Sequence, residues 1–96
     1  MQPEEGGRSG VEDPEAPPAA LVTLLGTQRA LILQRLGHPL TAGELAEALA
    51  AGPSTASYHL SALERAGLVD RERRGRHILV RRTARGTQLL DLYEAL

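Results

Sequence analysis

The residues with chemistry to offer lie between Gly52 and Arg85. The run "GPSTASYHLSALERAGLV" sets Ser54, Thr55, Ser57, Tyr58 and Ser61 around His59, and the following stretch carries Arg71, Arg73, Arg74, Arg76, Arg81, Arg82 and Arg85 with Glu72 among them. A serine near a histidine invites a nucleophile-and-base reading. On a helix, however, successive residues are about 100° apart, so Ser57 and His59 point about 200° from each other and cannot share a proton. No HExxH, phosphate-loop or GxSxG pattern occurs, and no enzyme activity is expected. Thr55 and His59, four positions apart, can hydrogen-bond and fix the imidazole at the edge of the core. His38, before Pro39, and His77 are isolated, and surface roles are expected for both. The hydroxyls can instead exchange hydrogen bonds with the bases and phosphates of a duplex. Arginine suits bidentate phosphate contacts, although the absence of lysine would also follow from a GC-rich genome.

Helical geometry assigns these residues to faces. With Ala56 at 0°, Leu60 falls at about 40° and Leu63 at about 340°, a narrow stripe that must meet the core. Ser54, Tyr58, Ser61 and Arg65 fall at about 140° to 200°, on the outward side, with Ser57 and Thr55 bordering them. A solvated helix face normally carries long charged side chains that are good helix formers. This one carries short or flat hydroxyl-bearing side chains, which let a helix approach another polar surface closely. That is what a recognition helix in a major groove needs. The plainer alternative is that Ser54 and Thr55 only cap the helix and Tyr58 covers a neighbour.

These residues need a frame to hold them. Residues 1–18 combine Glu4, Glu5, Glu12, Asp13 and Glu15 with four prolines and three glycines, a composition expected to form a disordered acidic tail. From Ala19, leucines recur at helical spacing, with a break at Gly26-Thr27 and a stop at Gly37-His38-Pro39. Thr41 and Glu44 form a capping box for the helix in "TAGELAEALA". Pro53 opens the next helix and Gly67 supplies its left-handed exit. Two strand-like runs, 68–73 and 77–82, flank Arg74-Gly75 as a hairpin, and Thr83 caps a last helix. The expected class is mainly α with a small β-hairpin, a winged helix-turn-helix domain over residues 19–96. Arg73, Arg74 and Arg76 stand at the hairpin tip, where an arginine can enter a minor groove or hold phosphates, or simply be solvated.

Composition narrows the function classes. The chain has 96 residues, no cysteine and 2% aromatic content, so disulfides, thiolate metal sites and aromatic stacking platforms are excluded. No apolar run approaches the roughly 20 residues needed to span a bilayer, and no secretory signal is recognised at the start, so a cytoplasmic location is expected.

Residues 24–93 resemble bacterial winged-helix regulators of the ArsR type. The likeness rests on "LLGTQRALILQRL", "LTAGELAEALAAGPSTASYHLSALERAGLV" and "RRGRHILVRRTARGTQLL". The Ser-Thr-x-Ser-x-His-Leu run is its most specific part, and MarR-type regulators share much of it. The resemblance implies a homodimer held by terminal helices, binding a palindromic operator in double-stranded DNA and repressing transcription. It implies that Ser54, Thr55, Ser57 and Tyr58 touch DNA, with Ser61 near the backbone. Relatives that sense metals use cysteines before the recognition helix or Asp/His clusters on the last helix. This chain has no such cysteine and only Asp91 and Glu94, so no metal or other cofactor is expected. Pro53 replaces the glutamine that relatives often carry there, which shifts readout toward Tyr58. The dimer surface is expected from Leu21, Leu24, Leu89, Leu92, Tyr93 and Leu96, although that stripe can also pack within one subunit. The rival reading is a winged helix that binds a protein partner and no DNA.

Overall fold

The helices begin and end where capping chemistry allows. The computed structural model describes residues 16–95, so most of the expected acidic tail, and Leu96, lie outside the described residues. α1 (Ala19–Leu25) and α2 (Thr27–Arg35) are separated at Gly26, whose φ of 90° excludes most side chains. α3 (Ala42–Ala48) opens with the expected capping box: the Glu44 N–H donates to Thr41 Oγ1 at 3.0 Å, and the Thr41 N–H donates to Glu44 Oε1 at 2.8 Å.

α3 closes with paired backbone bonds, from the Ala50 N–H to the Glu47 carbonyl and from the Ala51 N–H to the Ala46 carbonyl, both 3.0 Å. This is a Schellman turn with an alanine at φ 53° in the position glycine prefers. α4 (Pro53–Arg65) starts on Pro53 and ends in a second such turn. There the Gly67 N–H reaches the Glu64 carbonyl and the Leu68 N–H reaches the Leu63 carbonyl, both at 2.9 Å.

The hairpin joins β2 (Val69–Arg74) to β3 (His77–Arg82) through Gly75 and Arg76. Gly75, at φ 61°, takes the first central position, the arrangement of a type II′ turn. The first strand is thus one residue later than its periodicity suggested. A third strand, β1 (Leu40–Thr41), was not expected. It pairs antiparallel with β3, Leu40 opposite Val80 and Thr41 opposite Leu79, giving the order β1-β3-β2. Two residues carry no periodicity of their own, and this strand exists because the hairpin offers it an edge.

α5 (Ala84–Glu94) is capped by Thr83, whose Oγ1 accepts from the Gly86 N–H at 3.0 Å and donates to the Gly67 carbonyl at 2.6 Å. Gly86 lies against the Leu68 carbonyl so closely that a Cβ there would be 2.2 Å from the oxygen.

The main core gathers Ile32 and Leu33 from α2 with Leu36 at its C-cap, Leu45 from α3 with Leu49 at its C-cap, Leu60 and Leu63 from α4, and Leu68, Val69 and Val80 from the sheet side. A smaller cluster joins α1, α2 and α5 through Leu21, Ala30 and Leu90, with Leu89 and Tyr93 partly buried against it. The expected dimer stripe is therefore divided. Leu21 is fully buried within the chain and is no surface residue, because α1 folds back onto α2 and α5. Leu24 and Leu92 remain 57% and 66% exposed.

Candidate nucleic-acid interface

α4 turns its residues much as its sequence spacing requires. Ala56, Leu60 and Leu63 are buried in the core, while Ser54, Thr55, Ser57, Tyr58 and Arg65 are exposed. The N-cap is Gly52, with no side-chain cap bond, so Ser54 and Thr55 are not spent on capping the helix. Tyr58 is 63% exposed, so it does not merely cover a neighbour. Ser61 departs from the expected outward face. It is half-buried and its Oγ accepts from Arg71 Nη2 at 3.2 Å, because β2 runs beside this part of α4. Ser57 lies at the lip of a cavity of about 180 Å³ between α3, α4 and the sheet, bounded by small side chains such as Ala42, Gly43, Ala46 and Ala56.

His59 is half-buried, as the face geometry suggests, but its partner is not Thr55. Arg29 Nε, on α2, donates to His59 Nδ1 at 3.0 Å. The same guanidinium lies 5.5 Å from the Tyr58 ring centroid, and the Tyr58 and His59 rings meet edge to face at 5.4 Å. Nothing in the local sequence links Arg29 to α4, since the contact spans thirty positions.

The arginines of the hairpin region are not one uniform patch. Arg71 is tied to α4 by a 2.8 Å ion pair with Glu64. On the outer face of the hairpin, Glu72 pairs with Arg74 at 3.0 Å and also with Arg81. The Arg74 guanidinium, by hydrogen bond and charge, and Arg81 after it, hold the Glu72 carboxyl below its ordinary value. Arg82 is structural: Nη1 donates to the Leu33 carbonyl at 2.7 Å and Nε to Thr87 Oγ1 at 3.0 Å. Arg85 Nη1 reaches the Ala66 carbonyl at 3.5 Å. Arg73 bonds only the Gly75 carbonyl, and Arg76 has no bond or ion pair among the described residues. Among the described residues of α4 and the hairpin, the cations at liberty to meet an outside anion are thus Arg73 and Arg76 at the tip and Arg65 on α4, with Arg74 available by leaving Glu72.

Among the described residues no group of three His, Asp or Glu side chains is placed to hold a metal ion, and no helix is long and apolar enough to cross a membrane.

Comparison with known proteins bears on the fold directly. A family model described as a helix-turn-helix domain matches residues 28–72. The crystal structure of the transcriptional regulator BldR from Sulfolobus solfataricus superposes with a TM-score of 0.70 at 24% identity, over 81% of this chain. The match spans 59% of that chain, under two thirds of its length. The Q18P mutant of MepR from S. aureus gives a TM-score of 0.76 at 23% identity, over 93% of this chain and 70% of that one. A 1–100 fragment of a possible transcriptional regulatory protein from Mycobacterium bovis gives 0.68 at 26% identity, over 92% and 95%. No curated protein matches the sequence significantly. With a helix-turn-helix match at residues 28–72 and the β2–β3 hairpin as the wing, the chain has a winged helix-turn-helix fold, similar to that of these regulators.

Proposed function

We propose that the protein binds double-stranded DNA in a sequence-selective manner as a homodimer and represses transcription in the cytoplasm, as an ArsR-type regulator without a cysteine metal site. α4 enters the major groove with Ser54, Thr55, Ser57 and Tyr58 toward base edges and phosphates, and Arg65 toward the backbone. The tip arginines Arg73, Arg74 and Arg76 approach an adjacent minor groove or its phosphates. Ser61 supports this surface by accepting from Arg71 rather than by reaching the backbone itself. The observation that carries the reading is the exposed, hydroxylated side of α4, whose Ser54 and Thr55 have been left out of helix capping.

The dimer is carried by Leu24 and Leu92, large apolar side chains left wet beside the α1–α5 cluster, with Leu89 and Tyr93 at its margin. Selection of duplexes from fragmented genomic DNA tests the function. The expected result is a symmetric motif with half-sites about one helical turn, ~34 Å, or a multiple of it, apart. Tyr58→Ala should relax the sequence preference more than it weakens nonspecific binding. Enrichment of no sequence would reject the reading. Sedimentation of a Leu24→Glu, Leu92→Glu double variant should show a folded monomer, and a dimer that persists would remove these residues from the interface.

A further inference from the structure

The exposed ring of Tyr58 is held on two sides. Below it is the Arg29 guanidinium at 5.5 Å, and at its edge is the His59 ring at 5.4 Å with an interplanar angle of 63°. Arg29 is itself oriented, because its Nε donates to His59 Nδ1 at 3.0 Å. That bond requires an unprotonated Nδ1 and so leaves the imidazole proton on Nε2. Among the described residues Arg29 has no carboxylate partner, so its guanidinium plane is fixed by the imidazole and the tyrosine ring. An exposed tyrosine otherwise exchanges rotamers freely, and ordering such a side chain during association weakens binding. A ring already set before contact loses little.

We propose that Arg29 and His59 are positioning residues that set the Tyr58 ring for reading sequence, so that selectivity on α4 depends on a residue of α2; this rests on the proposed DNA-binding role of α4. The arrangement uses both properties of arginine. Its flat cation lies against a ring while its Nε–H addresses an acceptor at a fixed angle, which lysine cannot reproduce. His59 supplies the acceptor, and asparagine, whose Oδ1 occupies nearly the place of Nδ1, should replace it better than any apolar residue.

The test measures binding to two probes, a duplex enriched by the wild-type protein from random DNA and a scrambled duplex of the same composition. Arg29→Ala and His59→Ala should each lower the ratio of the two affinities by roughly fivefold, toward the ratio of Tyr58→Ala. Arg29→Lys should not restore it, whereas His59→Asn should retain most of it. Adding Arg29→Ala to Tyr58→Ala should change the ratio no further, since the ring it positions is gone. Nitrogen chemical shifts of His59 should report the Nε2–H tautomer with a hydrogen-bonded Nδ1 in the wild type, and the Nδ1 shift should move toward that of a solvated acceptor nitrogen in Arg29→Ala, whether or not DNA is present.

Equal weakening on both duplexes in Arg29→Ala, recovered by Arg29→Lys, would make Arg29 an ordinary phosphate contact and overturn the proposal. A wild-type protein that is selective while Arg29→Ala keeps the same ratio overturns the positioning role alone. A wild-type protein that binds all duplexes alike rejects the DNA-reading role beneath it.

Discussion

Arg76 and Arg82 stand on the same hairpin, and the structure gives them opposite duties. Arg76 is at the tip with no internal partner among the described residues, whereas Arg82 joins the Leu33 carbonyl and Thr87. If Arg76 meets a phosphate, Arg76→Ala should lower the slope of log affinity against log salt by about 0.9 per subunit. Between 50 and 200 mM salt that contact alone accounts for about 3.5-fold in affinity, so the deficit of the variant should shrink by that factor across the range. Its thermal midpoint should not move.

Arg82→Ala should do the reverse. It removes two hydrogen bonds from a charged donor, nominally about 1.5 to 3 kcal/mol each. The site is only part-buried and water can replace some of that, so a loss of about 2 kcal/mol is expected, lowering the midpoint by roughly 10 °C. Fluorescence anisotropy with a labelled duplex over a salt series, beside thermal melts followed by circular dichroism, separates the two. An unchanged salt slope in Arg76→Ala, or a slope change in well-folded Arg82→Ala equal to that expected of a phosphate contact, would refute the division of the arginines into fold and surface roles.

Three other outcomes follow from the geometry. Gly86→Ala places a Cβ 2.2 Å from a backbone carbonyl that cannot rotate away, so α5 must shift; denaturant unfolding should show a loss of at least about 2 kcal/mol, from overpacking. Ala50→Gly relieves a left-handed alanine, about 1 to 2 kcal/mol, and adds unfolded-state freedom of roughly 0.5 to 1 kcal/mol, so a modest net gain in stability is expected in the same assay. Glu72→Gln frees Arg74 and Arg81 and should tighten nonspecific duplex binding at neutral pH. Because folding lowers the Glu72 pKa, the carboxylate stabilises the fold above its unfolded value and that contribution fades as pH falls through the folded value. The stability difference between wild type and Glu72→Gln should accordingly be present at pH 7 and vanish on acidification below the ordinary glutamate range.

Features written in short-range chemistry were legible in the sequence. Thr41 with Glu44, Pro53, Gly67, Gly75 and Thr83 each satisfy or release backbone groups within a few positions, so the starts of α3, α4 and α5, the exit of α4 and the hairpin turn are legible from them. The apolar stripe of α4 followed from helical geometry alone. What escaped depends on partners far along the chain. β1 needs the edge of β3, Leu21 is buried by Ala30 and Leu90, and Arg29 meets His59 across thirty residues. The arginine stretch looked uniformly cationic because charge counting does not say which guanidinium finds Glu64, Glu72 or the end of α2. The helical angle of Ser61 points outward, but a helix face becomes a surface only where no strand lies beside it.

The seam at Thr83 and Gly86 has a mechanical meaning. The N-cap of α5 is bolted to the turn that closes α4: the Thr83 hydroxyl donates to the Gly67 carbonyl at 2.6 Å and the Thr83 N–H to the Leu68 carbonyl at 3.1 Å. The start of α5 and the exit of α4 are therefore joined directly, by hydrogen bonds to two consecutive carbonyls, and neither can be displaced without breaking the other's backbone contacts.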